Sequence, residues 1–404
     1  MTSDFRRFWA ADSVSQAGAA VTLVALPLVA IGLLKATPFE TGLLVMFEYL
    51  AFLVIGLPAG AWVDRVSSRP VLLASVLARA ALVGSIPVAY WLDVLALPQL
   101  YGVAFCVSVC TVFFDVAYQS HLPHLVDDAQ LVAANVRLEA TRSIAQIGGP
   151  GAGGALVSAL TAPVAIVVDA LGFLAAALLL SGVSRTTRNA GRPRLGREIA
   201  EGLRFVFGDP LLRAITMTAA ISNLCGTIGA SMLLVLLNRE LGLSPFLCGL
   251  VFTAEAVGGL VGSLLTVRIA AWLGQGPAMC LSVVLSGVLW LLALPMYQAD
   301  WRFAVAVALQ ALGWVVFMTF KINSVAIRQQ MCPKPLLGRM TASVRFVVWG
   351  VMPVGALLGG VLGQQAGVRE AMWVGVVGEL LAVLPLLLSP VRSLRASPGA
   401  GLRA

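Results

Sequence analysis

Twelve apolar segments, separated by short polar stretches, run through the chain. Each has about 20 residues or more, the length at which an α-helix crosses the hydrocarbon core of a bilayer. Within lipid, segments of this length must be helical, because a helix pairs its backbone polar groups inside the same segment. The pattern predicts an all-α membrane protein with twelve transmembrane helices, at residues 8–34, 41–62, 70–92, 98–120, 137–160, 162–183, 211–238, 246–270, 277–297, 302–324, 340–366 and 371–390.

A polar stretch in the middle of the chain separates two sets of six apolar segments. We therefore expect an N-terminal six-helix bundle at 1–183, a cytoplasmic linker at 184–210 and a C-terminal six-helix bundle at 211–404. Within the linker, the run EIAEGLRFVF has the apolar spacing of a helix on a membrane surface. A plain solvated linker and a regulatory or partner-binding segment are both consistent with this stretch.

Composition narrows the class of protein further. Of 404 residues, 59% are hydrophobic and 11% are charged, and the mean hydropathy is +0.93. Soluble domains have about 25% charged residues, so a soluble enzyme and a disordered protein are excluded. The net charge of +8 does not indicate nucleic-acid binding, because the basic residues lie between apolar segments and form no stripe on a soluble face. The expected partner of this surface is a lipid bilayer.

Lysine and arginine indicate the orientation, because they are in excess on the cytoplasmic side of membrane proteins. With the N-terminus inside, 21 of them fall on the cytoplasmic side and four fall outside, namely Lys35, Arg239, Arg302 and Arg369. Both termini are therefore expected in the cytoplasm, with the chain in the plasma or inner membrane. The first apolar segment lacks a signal-peptide cleavage pattern, so we expect it to stay in the mature protein.

The two halves resemble each other in sequence. TPFETGLLVMFE at 37–48 matches SPFLCGLVFTAE at 244–255 with an offset of 207 residues, and the match ends on Glu48 and Glu255. Two six-helix repeats of the same topology are typical of transporters whose halves rock about a central binding site. We therefore expect two pseudo-symmetric bundles.

Metal and cofactor chemistry find little support in the sequence. None of the six cysteines forms a close CxxC pair, and the two histidines, His121 and His124, lie in one predicted cytoplasmic loop. No GxxxxGK[ST] phosphate-binding loop occurs, which argues against ATP as the energy source. We expect no metal, no cofactor and no catalytic residue.

The loop GAWVDRVSSRPVLL resembles the signature loop between helices two and three of the major facilitator superfamily. The resemblance to this superfamily covers nearly the whole chain. Gly60, Asp64, Arg65 and Arg69 fill the family's positions and are thereby implied to form the inner gate. Physically, the glycine allows close helix packing, and the charged side chains can form salt bridges.

The segment GPGAGG is similar to the GPxxGG motif of drug–proton antiporters in this superfamily, at Gly149, Pro150, Gly153 and Gly154. A proline among glycines bends a helix and lets a neighbouring helix approach closely. In family members the motif is associated with export, so the resemblance implies efflux.

The segment 113–143 resembles the connection between helices four and five in the subgroup that contains macrolide-efflux and siderophore-export proteins. Tyr118, Pro123 and Asn135 carry this resemblance. The arginine that family members have in helix four is missing, because 98–120 contains none. The resemblance therefore implies a drug–proton antiporter that relays protons through other residues or hardly at all.

Four acidic residues inside the predicted membrane segments are candidates for proton coupling. A charge at mid-bilayer costs at least ~2.5 kcal/mol on insertion scales, so each needs a reason. Glu48 and Glu255 lie at matched depth in helices two and eight, and Asp12 and Asp115 lie in helices one and four. Burial disfavours the charged form of a carboxyl group, so these residues can take up a proton outside and release it inside. A purely structural hydrogen bond is the alternative for the two glutamates.

The central cavity is expected to be apolar and aromatic, which suits a bulky, partly hydrophobic solute. Ordinary helix packing is the alternative role for each aromatic residue. The candidate lining residues are Gln16, Phe47, Phe52, Asn223, Phe252, Trp314 and Phe317.

The sequence therefore predicts a secondary active transporter that exports a small hydrophobic or amphipathic compound, such as a drug, antibiotic or secondary metabolite. Proton antiport with alternating access is the expected mechanism, with the small molecule and protons as partners and a monomer as the working form. A proton-coupled importer and a non-transporting receptor on the same fold are the alternatives. A membrane enzyme is disfavoured, because the acidic residues are spread over separate helices.

Overall fold

The computed structural model describes residues 3–56, 67–122, 125–126, 128–183, 195–333 and 336–394. Within these ranges the chain is almost entirely helical and has no strand. Its α-helices in chain order are α1 Ser3–Leu28, α2 Pro38–Val54, α3 Ser68–Trp91, α4 Leu97–His121, α5 Asp128–Ala159, α6 Ala162–Ser181, α7 Leu195–Gly208, α8 Pro210–Leu234, α9 Pro245–Leu273, α10 Gln275–Ala293, α11 Arg302–Met331, α12 Leu337–Gly350, α13 Met352–Gln365, α14 Val368–Leu381 and α15 Leu384–Leu387.

Each of the twelve predicted segments coincides with one of these helices or with a consecutive pair. Ten described helical stretches are long and apolar enough to cross a membrane. The other two predicted segments fall on α2, which has 17 residues, and on α5, whose first half carries several charged residues. The prediction of an all-α membrane protein with twelve membrane helices is confirmed.

The helices α2 and α9 begin alike, as the sequence repeat requires. The Thr37 hydroxyl accepts a hydrogen bond from the Glu40 amide at 3.2 Å, and the Glu40 carboxylate accepts one from the Thr37 amide at 2.8 Å. At the start of α9, the Ser244 hydroxyl accepts a hydrogen bond from the Leu247 amide at 3.4 Å. A proline follows the hydroxyl residue in both places. A side-chain acceptor followed by proline is a strong helix-start signal.

The first membrane helix of each half ends in a π-helical segment. α1 continues into Val29–Leu33, and α8 continues into Val235–Glu240. π-helical turns are rare, and they often lie at functional sites. The apolar pattern does not predict them, because a single wider turn leaves the periodicity nearly unchanged.

The structure divides into two compact units. Unit 1 comprises Met1–Pro193 and Asn238–Thr253, and unit 2 comprises Arg194–Leu237 and Ala254–Ala404. The helix α9 therefore begins in unit 1 and ends in unit 2, and α7 belongs to unit 2. The bundle and linker boundaries expected from the sequence stay a prediction.

In unit 1, α1 packs against α5 and α6 through small residues. An ideal Cβ on Gly18 of α1 would lie 2.9 Å from the Cα of Asp169 on α6, and one on Gly153 of α5 would lie 2.9 Å from the Cα of Val21 on α1. Real Cβ atoms do not approach this closely, so only glycine fits. Small residues at helix crossings let backbones pack tightly, which matters in lipid because helix association there depends on packing.

In unit 2, α8 packs in the same manner against α13 and α14. Gly355 of α13 lies against the backbone of Leu224, and Gly375 of α14 lies against the backbone of Cys225 and Gly229. Each of the two glycines leaves no room for a side chain. Both units thus place their first membrane helix against the last two through close glycine contacts.

The linker helix α7 packs against α12 within unit 2. Glu201 and Arg339 form an ion pair at 2.6 Å, and Gly202 fits against the Arg339 backbone. Val206 is buried in an apolar cluster that includes Met340. The predicted helix is therefore present, but α12 covers part of the apolar face that was expected to rest on the membrane.

Candidate functional site

Glu255 lies on α9 in unit 2 and is half-buried. Its Oε1 atom accepts a hydrogen bond from the Gln310 side-chain amide at 3.1 Å. The Trp314 indole, one helical turn further along α11, interacts with the same carboxyl group but makes no well-oriented hydrogen bond. Among the described residues, no lysine or arginine forms an ion pair with Glu255.

Beside this carboxyl group, aromatic side chains join α10 to α11. The ring centroid of Trp290 lies 5.8 Å from that of Trp314 and 5.6 Å from that of Phe317, and Trp314 meets Phe317 edge-on at 5.8 Å. The Trp290 indole N–H donates to the Gln310 backbone oxygen at 3.2 Å. Gly313 has no room for a side chain, because the Trp290 indole fills the space. The cluster therefore holds Trp290 in place next to Gln310.

Glu48, the repeat partner of Glu255, lies on α2 in unit 1 and is also half-buried. It makes no hydrogen bond or ion pair with the part of the chain that the structure describes. The neighbouring Phe47 stacks on Tyr101 of α4 at 5.6 Å, and Phe52 packs in a small apolar cluster between α2 and α4. Both phenylalanines thus make packing contacts within unit 1, and their role as cavity residues stays a prediction.

Asp12 on α1 has a cationic neighbour from its own chain. Its Oδ1 atom lies 3.7 Å from the Arg142 guanidinium of α5, and Gln16 donates a hydrogen bond to the same atom at 3.4 Å. The Arg142 guanidinium lies over the Tyr118 ring at 4.8 Å. Asp115 on α4 is half-buried and adds negative charge near Arg142. The structure thus brings three predicted residues, Asp12, Gln16 and Asp115, into one network around an arginine.

The Gly-Pro segment of α5 packs against α1 on one side. Gly149 lies against Ala20, and Gly153 lies against Val21, with no space for a Cβ at either glycine. The predicted close approach of a neighbouring helix is therefore present at these two positions.

On its other side, the same segment packs against the first turns of α9. Gly249 lies against the backbone of Pro150, and Gly154 lies against Pro245. The Gly151 amide donates a hydrogen bond to the Thr253 hydroxyl at 3.1 Å. These contacts use every glycine of the motif for close packing, and its role in the direction of transport stays a prediction.

The predicted inner-gate residues Gly60, Asp64 and Arg65 lie outside the described residues. Arg69, at the start of α3, donates hydrogen bonds to the backbone oxygens of Leu180 and Ser181. Basic side chains near the C-terminal end of a helix can donate hydrogen bonds to its last backbone carbonyl groups. Arg69 thus ties α3 to the end of α6, and its role as a gate stays a prediction.

The remaining cavity candidates also make contacts within their units. The Asn223 amide donates to the Val348 backbone oxygen at 2.9 Å and so joins α8 to α12. Phe252 packs against the apolar core of unit 1. Of the seven candidates, Trp314 and Phe317 are the two that lie in the aromatic cluster beside Glu255.

The sequence profile of a family described as "Transmembrane secretion effector" matches residues 1–400. The chain belongs to this family of the major facilitator superfamily. The resemblance seen in its sequence motifs is confirmed, and the protein is a multi-pass membrane transporter.

Two relatives illustrate what this major facilitator protein is similar to. It is 28% identical over 402 residues to the multidrug efflux pump Tap of Mycolicibacterium fortuitum, a match that covers 94% of each chain. It is 27% identical to the uncharacterized MFS-type transporter YfiS of Bacillus subtilis (strain 168), over 91% of this chain and 86% of that one.

Solved structures share its fold. A bacterial homologue of the iron transporter ferroportin, in an inward-facing state, superposes with a TM-score of 0.79 at 15% identity, over 96% of this chain and 99% of that chain. The nucleoside transporter NupG superposes with a TM-score of 0.72 at 11% identity, over 96% and 98% of the two chains. At such low identity, the likeness shows the fold and nothing about the solute.

The site contains residues that the sequence patterns did not identify. Gln310 and Trp290 were missed as neighbours of Glu255, and Arg142 was missed as the partner of Asp12. A signal for Gln310 was present, because it is an isolated polar residue in the apolar run AVALQALGW. Polar residues inside membrane helices are costly and usually have a partner. No sequence signal distinguished Trp290 from the other tryptophans.

Proposed function

We propose that this transporter is a secondary exporter that moves a small hydrophobic or amphipathic compound out of the cell in exchange for protons. The observation that carries the proposal is the pair of repeat-related carboxyl groups of Glu48 and Glu255. Both lie in membrane helices, and neither is paired with a basic residue of the described chain. A carboxylate in that position requires either a proton or a positively charged ligand. Proton uptake on one side and release on the other can therefore drive the cycle.

Two further observations support the outward direction. The Gly-Pro segment of α5 resembles a motif associated with export, and the relative Tap, which matches over 94% of the chain, is named a multidrug efflux pump. We extend the proposal to a monomer with both termini in the cytoplasm of the inner membrane. Asp12 and Asp115 are the second pair of coupling candidates, because both lie near the Arg142 guanidinium in one network.

Reconstitution tests this proposal directly. The purified protein is placed in liposomes with an imposed pH gradient, and a panel of hydrophobic antibiotics is tested for gradient-driven movement against protein-free liposomes. We expect at least one compound to move against its concentration gradient, and dissipating the pH gradient should stop that movement. Movement that continues unchanged without a pH gradient would contradict proton antiport.

Direction is tested in cells. Cells that produce the protein should hold less of a labelled substrate than cells that produce the Glu48→Gln/Glu255→Gln double variant. Greater accumulation in cells with the unaltered protein would favour the proton-coupled importer.

A further inference from the structure

We infer that the exported solute is an organic cation, with Glu255 binding its charge and the indoles of Trp290 and Trp314 binding its apolar body. The inference rests on the proposed export function and adds the chemical class of the solute. It comes from three features of unit 2: a carboxyl group with no cationic partner among the described residues, the aromatic cluster beside it, and the contacts that hold the cluster and the Gln310 amide in one arrangement.

The first feature is the charge at Glu255. Its hydrogen-bond donor, Gln310, is a neutral amide, which orients the carboxyl group without neutralising it. Asp12 shows the contrasting arrangement, because Arg142 supplies a positive charge at 3.7 Å. A charged carboxylate inside a membrane helix is stable when a cation faces it. At Glu255 the described chain supplies none, which leaves a proton or a cationic solute to compensate the charge.

The second feature is the aromatic cluster. Tryptophan is the best side-chain partner for a cation placed over its ring face, and two indoles lie with Phe317 beside the carboxyl group. Trp290, Trp314 and Phe317 are half-buried, so part of each residue stays exposed. Flat apolar rings next to a single carboxylate match a solute with one positive charge on an aromatic or otherwise apolar body.

The third feature is preorganisation. The hydrogen bond from Trp290 to the Gln310 backbone and the close fit of Gly313 against the Trp290 indole hold the ring and the amide in one arrangement. A site that is already ordered loses less conformational freedom when a ligand binds. These contacts also explain why a glycine lies in the middle of α11.

An anionic or neutral solute fits this arrangement less well. An anion would be repelled by the Glu255 carboxylate, and a neutral solute could bind without leaving a bare charge only while the carboxyl group keeps its proton. An organic cation compensates the charge of the Glu255 carboxylate, and a proton neutralises it. Proton and solute therefore exclude each other at one carboxyl group, and this exchange is what antiport requires.

Binding of tetraphenylphosphonium to the full-length purified protein in detergent tests the inference. Tetraphenylborate serves as a probe of the same shape and opposite charge. We expect the phosphonium to bind and the borate not to bind. Glu255→Gln should weaken phosphonium binding at least ~30-fold, since it removes one partner of a buried charge pair. Glu255→Asp should bind the phosphonium more tightly than Glu255→Gln. Glu370 is an exposed acidic residue, so Glu370→Gln should bind the phosphonium as tightly as the unaltered protein.

The aromatic contribution and the competition with protons have separate readouts. Trp314→Leu should weaken binding about tenfold and Trp314→Phe by less, because phenylalanine keeps a weaker ring face. Lowering the pH from about 8 to about 5 should weaken phosphonium binding to the unaltered protein and leave Glu255→Gln unaffected. Among the described residues, Tyr297 is a titratable neighbour of Glu255, and a phenol stays neutral throughout this pH range.

Equal phosphonium binding by Glu255→Gln and the unaltered protein, with both melting at the same temperature, would overturn the inference. Tight binding of tetraphenylborate would also overturn it. If gradient-driven export of uncharged antibiotics is found without phosphonium binding, the inference alone fails. If phosphonium binds through Glu255 but no pH gradient drives export, the proposed function alone fails.

Discussion

Glu48 and Glu255 occupy the same position in the two sequence repeats, but the structure gives them different surroundings. Glu255 accepts a hydrogen bond from Gln310 and lies next to the Trp290 and Trp314 cluster. Glu48 has no hydrogen-bond partner among the described residues, and the aromatic residues around it belong to the packing of α2 against α4. The duplication therefore preserved the acidic residue and not its environment.

The sequence register shows where the halves diverged. In the register that pairs Pro70 with Pro277, Val83 of α3 stands opposite Trp290 of α10. An aliphatic side chain can neither donate the hydrogen bond nor present the ring face that Trp290 provides.

The next pair of helices diverged in the same way. The run VFF in α4 aligns with VFM in α11, and in that register Cys106 and Cys110 stand opposite Gln310 and Trp314. Gln310, Trp290 and Trp314 are thus specific to the C-terminal half. We therefore expect the two glutamates to differ in function, with Glu48 exchanging protons alone and Glu255 exchanging a proton for the solute.

The largest expected effect separates the two glutamates. Glu48→Gln should abolish gradient-driven export, because the variant cannot exchange a proton at that position, whereas phosphonium binding should stay within about twofold of the unaltered protein. Proteoliposome transport and detergent binding measure the two quantities on the same preparation. If Glu48→Gln weakens phosphonium binding as strongly as Glu255→Gln, the two sites are not distinct.

A second prediction concerns a substitution that disturbs the packing of Trp290 beside the Glu255 site. Gly313→Leu places a side chain where the Trp290 indole lies, so we expect a loss of about 2 kcal/mol in stability from overpacking and weaker phosphonium binding. The melting temperature and the binding isotherm measure the two effects.

Gly102→Ala in α4 is the matched control for this substitution. Nothing lies within 4 Å of a Cβ at Gly102, and alanine in a helix interior is more stable than glycine by about 0.5–1 kcal/mol. We expect this control to melt at the same temperature or higher. A Gly313→Leu protein that melts with the unaltered one would contradict the packing described for Trp290.

The smallest effect is expected from a substitution that makes the Glu255 site resemble the Glu48 site. Gln310→Leu removes the amide donor and keeps the carboxyl group, so phosphonium binding should weaken by about tenfold, the cost of losing one hydrogen bond to a charged group. Gln99→Leu in α4, which removes the hydrogen bond that the Gln99 amide donates to the Ser85 backbone oxygen in α3, should leave phosphonium binding unchanged. Equal affinities of the two variants would show that Gln310 does not orient Glu255.

Much of the fold was predictable because it depends on local composition. The apolar segments, the Thr37 and Ser244 helix starts and the glycine-rich crossing of α5 can all be identified in the sequence. The π-helical segments after α1 and α8 could not, because they change the backbone by a single residue per turn. The contact of α7 with α12 could not either, because an apolar helix face fits a protein neighbour as well as a membrane surface.

The candidate site was predictable only in part. Glu48 and Glu255 were identifiable because a carboxyl group in an apolar run is costly and therefore conspicuous. Gln310 and Trp290 were not identifiable as neighbours of Glu255, and Arg142 was not identifiable as the partner of Asp12, because each is separated from its acid by tens of residues or more along the chain. The ion pair of Asp12 with Arg142 depends on how α1 and α5 cross, which their separate sequences do not specify.

By itself, the sequence determined that this protein is a duplicated, all-helical membrane transporter, because hydropathy, charge bias and repeat register are properties of the linear chain. The tertiary structure decided which acid has a cation, which has an amide and indoles, and which has no polar partner among the residues that the structure describes. Those differences depend on the rotation of each helix about its axis and on the glycine contacts that fix how closely helices cross. Long-range packing sets both, and for that reason the two matched glutamates became different sites.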